Sequence, residues 1–195
     1  MSFELKIERD DQAENPRAEW DCFGHFVCWN RSHNIGDEDV SAEYRMSKED
    51  FIAELKRDRA LIIPVYLFDH SGITVSTSAE QFQAADLHGW DWGQSGFIYC
   101  LPEEGRKEFG RYWKTKARNL MESEIKTLDQ YCTGDVWGYT IEDEDGEYVD
   151  CCWDLYGEEY CREEGERMLK HYKEEDFKKH GKQQDMLMAA GVNPK

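Results

Sequence analysis

The sequence predicts an α+β protein: a mostly antiparallel sheet of hairpins, a long central helix and an acidic C-terminal helix. Three observations carry that expectation. Strand-like runs alternate apolar and charged residues near both ends of the chain, and the turn dipeptides Ser71-Gly72 and Asp145-Gly146 join neighbouring runs. Helical stripes follow Pro102 and begin again near residue 157, instead of separating every pair of strands. With 195 residues and seven Trp, the chain can fill one domain over 1–182, leaving 183–195 as a tail or short extra helix. An aromatic share of 13% argues against a disordered acidic chain.

The elements follow in order. Phe3, Leu5 and Ile7 alternate with charged residues, the pattern of a half-buried strand. A polar loop with Asn15-Pro16 leads to a second strand at 23–29, and 30–46 reads as loop. Ser47 and Asp50 form an approximate capping box ahead of Phe51, Ile52 and Leu55, so a short helix starts there. The run 61–68 is a buried strand in which Pro64 calls for an edge or a bulge. Ser71-Gly72 turns it into a hairpin partner, and the Gly- and Trp-rich stretch 79–96 reads as a loop before the strand FIYCL. Pro102 suits a first helical turn, with Gly105 and Gly110 as early breaks. From Arg111 to about Tyr131, Trp113, Ala117, Leu120, Ile125 and Leu128 make a helical stripe. Alternation on both sides of Asp145-Gly146 gives the clearest hairpin, followed by a helix over about 157–180 and a final turn in DMLMAAGV.

Charge is the boldest global feature, a formal net of −18. Residues 135–176 hold 16 acidic and 4 basic side chains, a net of −12, so two thirds of the excess sits in 42 residues. Such a surface repels phosphate backbones and favours a basic partner. The longest apolar run is too short to span a bilayer, and the start of the chain has no basic region followed by an apolar one. A cytoplasmic protein with no membrane contact is therefore expected. Its seven cysteines lack paired CxxC spacing and read as reduced, packed thiols; a zinc site from Cys22, His25 and Cys28 is the sharper, unusual alternative. No cofactor is expected, since no phosphate-binding Gly-rich loop is present and GQSGF has the wrong spacing for a nucleophile elbow.

Four stretches, ENPRAEWDCFGHFVCWNRSHNIGDED, PVYLFDHSGITVSTS, WDWGQSGFIYC and DQYCTGDVWGYTIEDEDGE with the DCCWDLYG that follows, carry a resemblance. Over roughly residues 14–157 the chain resembles a family of acidic proteins encoded by bacteriophages, prophages and other mobile elements. The resemblance implies a setting, a small accessory gene on a mobile element, and carries over no catalytic residues. Such genes often encode proteins that blunt host defence, and acidic anti-restriction and anti-CRISPR proteins use nucleic-acid mimicry.

Two candidate sites follow. The first is an acidic contact made by Glu142, Asp143, Glu144, Asp145 and Glu147 on the hairpin with Glu158, Glu159, Glu163, Glu164 and Glu166 on the helix. Carboxylates three and four apart share a helix face and repel, by a few tenths of a kcal/mol per pair, which a Lys- and Arg-lined partner relieves. The bland reading is a solvated face. The partner expected is a basic host protein, a nuclease or CRISPR effector, with a homodimer considered beside it; a further reading is a phage regulatory or structural protein with no defence target. The second candidate is catalytic: Asp69, His70, His88 and Asp91, with Ser71 and Asp86 near them, as a metal-dependent nuclease or other hydrolase. Its bland reading is turn capping by the acids and anchoring of the loop by Trp90 and Trp92. A basic segment, Arg106, Lys107, Arg111, Lys114, Lys116 and Arg118, is expected to pair with acidic residues of the same chain or a second copy.

Overall fold

A computed structural model of the protein describes residues 2–30, 32, 33, 35–37 and 46–189, with side chains as far as residue 179. Part of the loop expected over 30–46, and the end of the expected final turn, lie outside the described residues. Along the chain run β1 (Glu4–Arg9), α1 (Pro16–Glu19), β2 (His25–Cys28), α2 (Lys48–Arg57), β3 (Leu61–Asp69), β4 (Ile73–Ser76), α3 (Glu80–Ala85), β5 (Trp92–Cys100), α4 (Pro102–Phe109), α5 (Trp113–Thr133), β6 (Val136–Glu142), β7 (Tyr148–Tyr156) and α6 (Glu158–Ala189). A 3₁₀ turn over Gly110–Tyr112 joins α4 to α5. The fold is α+β, with antiparallel pairing throughout the described sheets and a long joined helical segment over 102–133. Two compact units divide it: an inserted unit, Glu14–Thr133, and a terminal unit of Met1–Ala13 with Gly134–Lys195.

The inserted unit is a four-stranded sheet in the order β2-β5-β3-β4, covered on both faces. Because side chains alternate along a strand, a doubly covered sheet needs near-continuous apolar runs. That explains FIYC: Ile98 and Cys100 face α5, while Phe97 and Tyr99 face Phe51 and Leu55 of α2. On α5 the buried stripe is Trp113, Ala117, Met121, Ile125 and Leu128. Leu120, expected on it, is exposed, because the four-residue steps from Trp113 lead to Met121 and put Leu120 about 100° off that line. Gly105 does not break α4; an added Cβ there would lie 2.1 Å from the Trp113 ring, so the missing side chain lets helix and indole meet.

Two sequence expectations change in the stretch 79–96. A short helix, α3, occupies part of the expected loop, held by Phe82, whose ring stacks on Phe68 at 5.7 Å. Strand β5 starts at Trp92 and runs through Gly93 and Gly96. Gly96 belongs there because a Cβ would sit 2.0 Å from the Val27 carbonyl oxygen of the neighbouring strand. Pro64 lies in a central strand, yet β4 pairs only with Tyr66–Asp69, so β3 has one partner at Pro64, and a register shift follows at Val65/Tyr66. The expected edge or bulge takes that local form.

One ionic cluster fixes the start of β2. Arg17 is almost fully buried; its guanidinium binds Asp37 through two nitrogens, Glu124 at 3.0 Å and the Gly24 carbonyl at 2.6 Å. Glu124 also accepts the N–H groups of Phe23 and Gly24, and Asp37 that of Phe26. Burial alone would lower the guanidinium pKa, but the Asp37 bond and charge outweigh it and raise it.

The terminal unit is a three-stranded sheet, β1-β6-β7, whose β1 and β6 pair although the whole inserted unit lies between them in sequence. The Asp145-Gly146 hairpin forms as expected: Asp143 Oδ1 accepts the N–H groups of Asp145 and Glu147, and Gly146 takes the positive φ of 80°. Helix α6 lies on this sheet through Cys161, Met168, Leu169 and Tyr172, close enough that a Cβ on Gly165 would be 2.9 Å from Leu5. It runs unbroken past the expected end near 180, to Ala189.

Two stability predictions follow from these contacts. Gly96→Ala should lower the unfolding free energy by about 1–3 kcal/mol through overpacking, read from urea denaturation; an unchanged midpoint would mean that β2 and β5 can separate freely. Arg17→Met, which leaves the partly exposed carboxylates of Glu124 and Asp37 without their shared cation, should cost about 1–3 kcal/mol, and an unchanged midpoint would show that the cluster does not hold the start of β2.

Candidate functional site

The ten carboxylates of the expected acidic contact fare differently. Glu142 binds Lys6 at 2.5 Å, which offsets its position opposite Glu4 across the strands. Asp143 is used in the hairpin turn, and Glu144 accepts the Ser2 N–H at 3.3 Å. Glu158 binds Arg162 at 2.7 Å, and Glu164 binds Arg167. Five remain exposed with no cation against them among the described residues: Asp145 and Glu147 at the hairpin tip, and Glu159, Glu163 and Glu166 on α6.

Helix geometry gives those three their direction. At about 100° per residue, Cys161, Gly165, Met168 and Tyr172 share the face against the sheet, and Glu159, Glu163 and Glu166 fall on the opposite side. The tip and helix acids are two groups, not one patch. Helix α6 starts beside Asp135 at one end of the sheet and reaches the tip end at Tyr172, whose ring lies 6.3 Å from Phe3. From Glu159 to Tyr172 that is about 20 Å of helix axis.

The Asp-His candidates sit in the inserted unit, where β3, β4 and β5 end. Asp69 and Asp91 are neighbours, the Asp69 N–H donating to the Asp91 carbonyl at 2.8 Å. Each carboxylate holds one imidazole: Asp69 Oδ2 lies 2.9 Å from His33 Nε2, and Asp91 Oδ2 lies 3.0 Å from His70 Nδ1. His33 was not foreseen from the sequence; it lies 36 residues from Asp69, and no local spacing signals the contact. Among the described residues His88 enters only through its backbone N–H, which Asp86 accepts. Among the described residues no group of three or more His, Cys, Asp or Glu side chains is placed to hold a metal ion. The geometry is two separate Asp–His pairs, with no convergent ligand set.

Asp86 organises the loop between α3 and β5. Its side chain accepts the N–H groups of His88 at 3.0 Å, Trp90 at 2.6 Å and Asp91 at 3.0 Å, and its carbonyl accepts Trp92 Nε1 at 2.9 Å. The Asp91 N–H, with those of Trp90, His88 and Gly89, holds its carboxyl below the ordinary value of 3.8. Beside this loop is an open cleft of about 400 Å³ with Trp29, Trp90, Trp92, Asp69, Asp91 and Gln94 in its walls. The cleft was not legible as a cavity in the sequence, although the Trp-rich loop that borders it was.

The zinc alternative is not assembled. His25 and Cys28 are three apart on one strand and so point to opposite faces. His25 instead meets Glu104 at 2.9 Å, and Cys22 lies 3.6 Å from the Pro16 carbonyl. Burial raises the pKa of the Cys22 and Cys28 thiols and pushes Cys100 up to about 12, so these are protonated packing groups rather than nucleophiles. Of the basic segment, Arg118 pairs with Glu122 one turn on, while Arg111 and Lys114 lie over the rings of Tyr112 and Trp113. Among the described residues no helix is long and apolar enough to cross a membrane. Comparison with protein-family models, with curated proteins and with solved structures gives no significant match.

Because the Asp86 carboxyl has a depressed pKa in the folded loop, the order it confers is complete above pH 3.8 and is lost as the pH falls through the lower folded value. In an acid titration followed by NMR, the Trp90 and Asp91 amides should move together with a midpoint below 3.8, and Asp86→Asn should abolish that step. A midpoint at or above the ordinary value would mean that the loop does not depend on this carboxylate.

Proposed function

We propose that the protein is a non-enzymatic inhibitor from a phage or other mobile element, acting in the cytoplasm of a bacterial host. It binds the basic surface of a nucleic-acid-handling defence factor, a CRISPR effector or restriction enzyme. The observation that carries this reading is the row Glu159, Glu163 and Glu166, aimed away from the sheet and left without cations among the described residues. The terminal unit that bears it holds 21 acidic and 10 basic side chains, a net of −11. The resemblance to acidic mobile-element proteins supplies the setting.

Spacing refines the mode of binding. Glu159 to Glu166 covers about 10 Å of helix, a mean of about 5 Å per charge, against about 3.4 Å per phosphate along one DNA strand. The helix is sparser than a nucleic-acid strand, so recognition rests on charge complementarity more than on a phosphate-by-phosphate copy. The same charge opposes direct binding of duplex DNA.

The test is capture of a host nuclease or effector by the tagged protein at low salt, followed by competition with duplex DNA for the captured partner. Exposed ion pairs are screened within about 10 Å at 0.1 M salt and about 3 Å at 1 M. The complex should therefore form at low salt and dissociate toward 1 M. Reversing Asp145, Glu147, Glu159 and Glu163 to Lys should weaken it by about 4- to 1,000-fold, from four exposed pairs at about 0.2–1 kcal/mol each. Binding that survives the reversal, or that duplex DNA leaves untouched, sinks the proposal.

A further inference from the structure

We infer that the tryptophan cleft of the inserted unit is a binding site for the guanidinium head of an arginine side chain presented by a peptide. This rests on different residues from the acidic row of α6 and does not depend on it.

The walls are aromatic and already oriented. Trp29 donates its indole N–H to the Gln94 carbonyl at 3.2 Å, and Trp92 donates its own to the Asp86 carbonyl at 2.9 Å. With that single polar group committed to backbone, each ring has only its apolar, electron-rich face to offer a ligand. Trp90 stands at the cleft 86% exposed, though its backbone is fixed by the short bond to Asp86. A large indole held in solvent by an ordered loop gains burial when something fills the cleft. The Asp86 bonds also order the loop in advance, which removes part of the entropic cost of binding.

The charge selects a cation. Asp69 and Asp91 each commit one oxygen to an imidazole and keep the other Oδ1 unpaired among the described residues. Among the described residues no Lys or Arg lines the cleft to neutralise them. An anion is repelled there, and a neutral apolar group would strip water from two carboxylates without replacing its hydrogen bonds. Trp29 already attracts a cation: Lys48 Nζ lies 4.8 Å from its ring centroid. Among cations, guanidinium fits best, because its plane stacks on indole while its N–H fork meets carboxylate oxygens. A cavity of about 400 Å³ takes one such side chain with its adjoining backbone.

The test is a ¹H–¹⁵N NMR titration of the full chain with acetyl-arginine-amide, its neutral isostere acetyl-citrulline-amide, and methyl glucoside. The arginine compound should shift the indole signals of Trp90 and Trp92, with half-saturation at roughly millimolar concentration. Citrulline should bind at least about tenfold more weakly, and Trp90→Ala, a change at an exposed ring that leaves the fold intact, should remove the response. Asp91→Asn should weaken arginine by about tenfold while the amide spectrum stays dispersed. Equal response to citrulline, shifts with the glucoside in place of arginine, or no shift at tens of millimolar would each overturn the assignment. Reversing Glu159 and Glu163 to Lys should leave this titration unchanged, so failure here and failure of the acidic-row reading are separate results.

Discussion

A single buried guanidinium, that of Arg17, sets the geometry on which the inserted unit depends. A charge with so little solvent is tolerable only when paired and fully hydrogen-bonded, and its partners come from three separate places. Glu124 belongs to α5, Asp37 to the segment after β2, and the Gly24 carbonyl to the entry of β2 itself. Each carboxylate then uses its remaining capacity on backbone N–H groups of Phe23, Gly24 and Phe26. The strand that emerges has its start clamped to the long helix. A few residues on, Trp29 N–H bonds the Ser95 carbonyl, which places the first wall of the aromatic cleft. The path from one arginine of α1 to a ligand-sized cavity is thus a chain of hydrogen bonds.

The terminal unit solves a different problem, that of carrying many like charges on an ordered element. Helix α6 tolerates its acids because one face contributes burial and part of the other is self-neutralised. Glu158 with Arg162 and Glu164 with Arg167 are pairs at helical spacing, each worth a few tenths of a kcal/mol when exposed. Burial of Cys161, Leu169 and Tyr172 against the sheet contributes far more. The carboxylates left over repel one another at a cost the packing easily exceeds.

What the sequence disclosed follows from how local each signal is. The Asp145-Gly146 hairpin, the Ser47 cap and the Pro102 helix start depend on a few adjacent residues, and all three formed as expected. Helix α3 escaped because its one buried anchor, Phe82, is stabilised by Phe68, a contact between different elements. The phase of α5 slipped at Leu120 because Leu and Met compete for one face, and only the sheet opposite decides which is buried. The role of Arg17 and the pairing of His33 with Asp69 were invisible for the same reason: each joins segments far apart in sequence. Where sequence could have done better is the acidic helix. The spacing of Glu158 to Arg162 and of Glu164 to Arg167 already marks two of its acids as neutralised.

The two candidate surfaces both select cations, by different physics. The α6 row acts through Coulomb attraction across water, so it speeds encounter and fades as salt rises. The cleft acts at contact, through indole faces and carboxylates that a stacked guanidinium would cover, where screening matters less. A basic chain recognised by the cleft alone would therefore keep most of its affinity in salt, and one recognised by the row alone would lose nearly all of it. A partner engaging both would show an association rate that falls with salt while its dissociation rate holds. That separation follows from the chemistry of the residues themselves: an exposed glutamate has nothing to offer except charge, whereas a tryptophan beside an aspartate offers shape, polarisability and charge together.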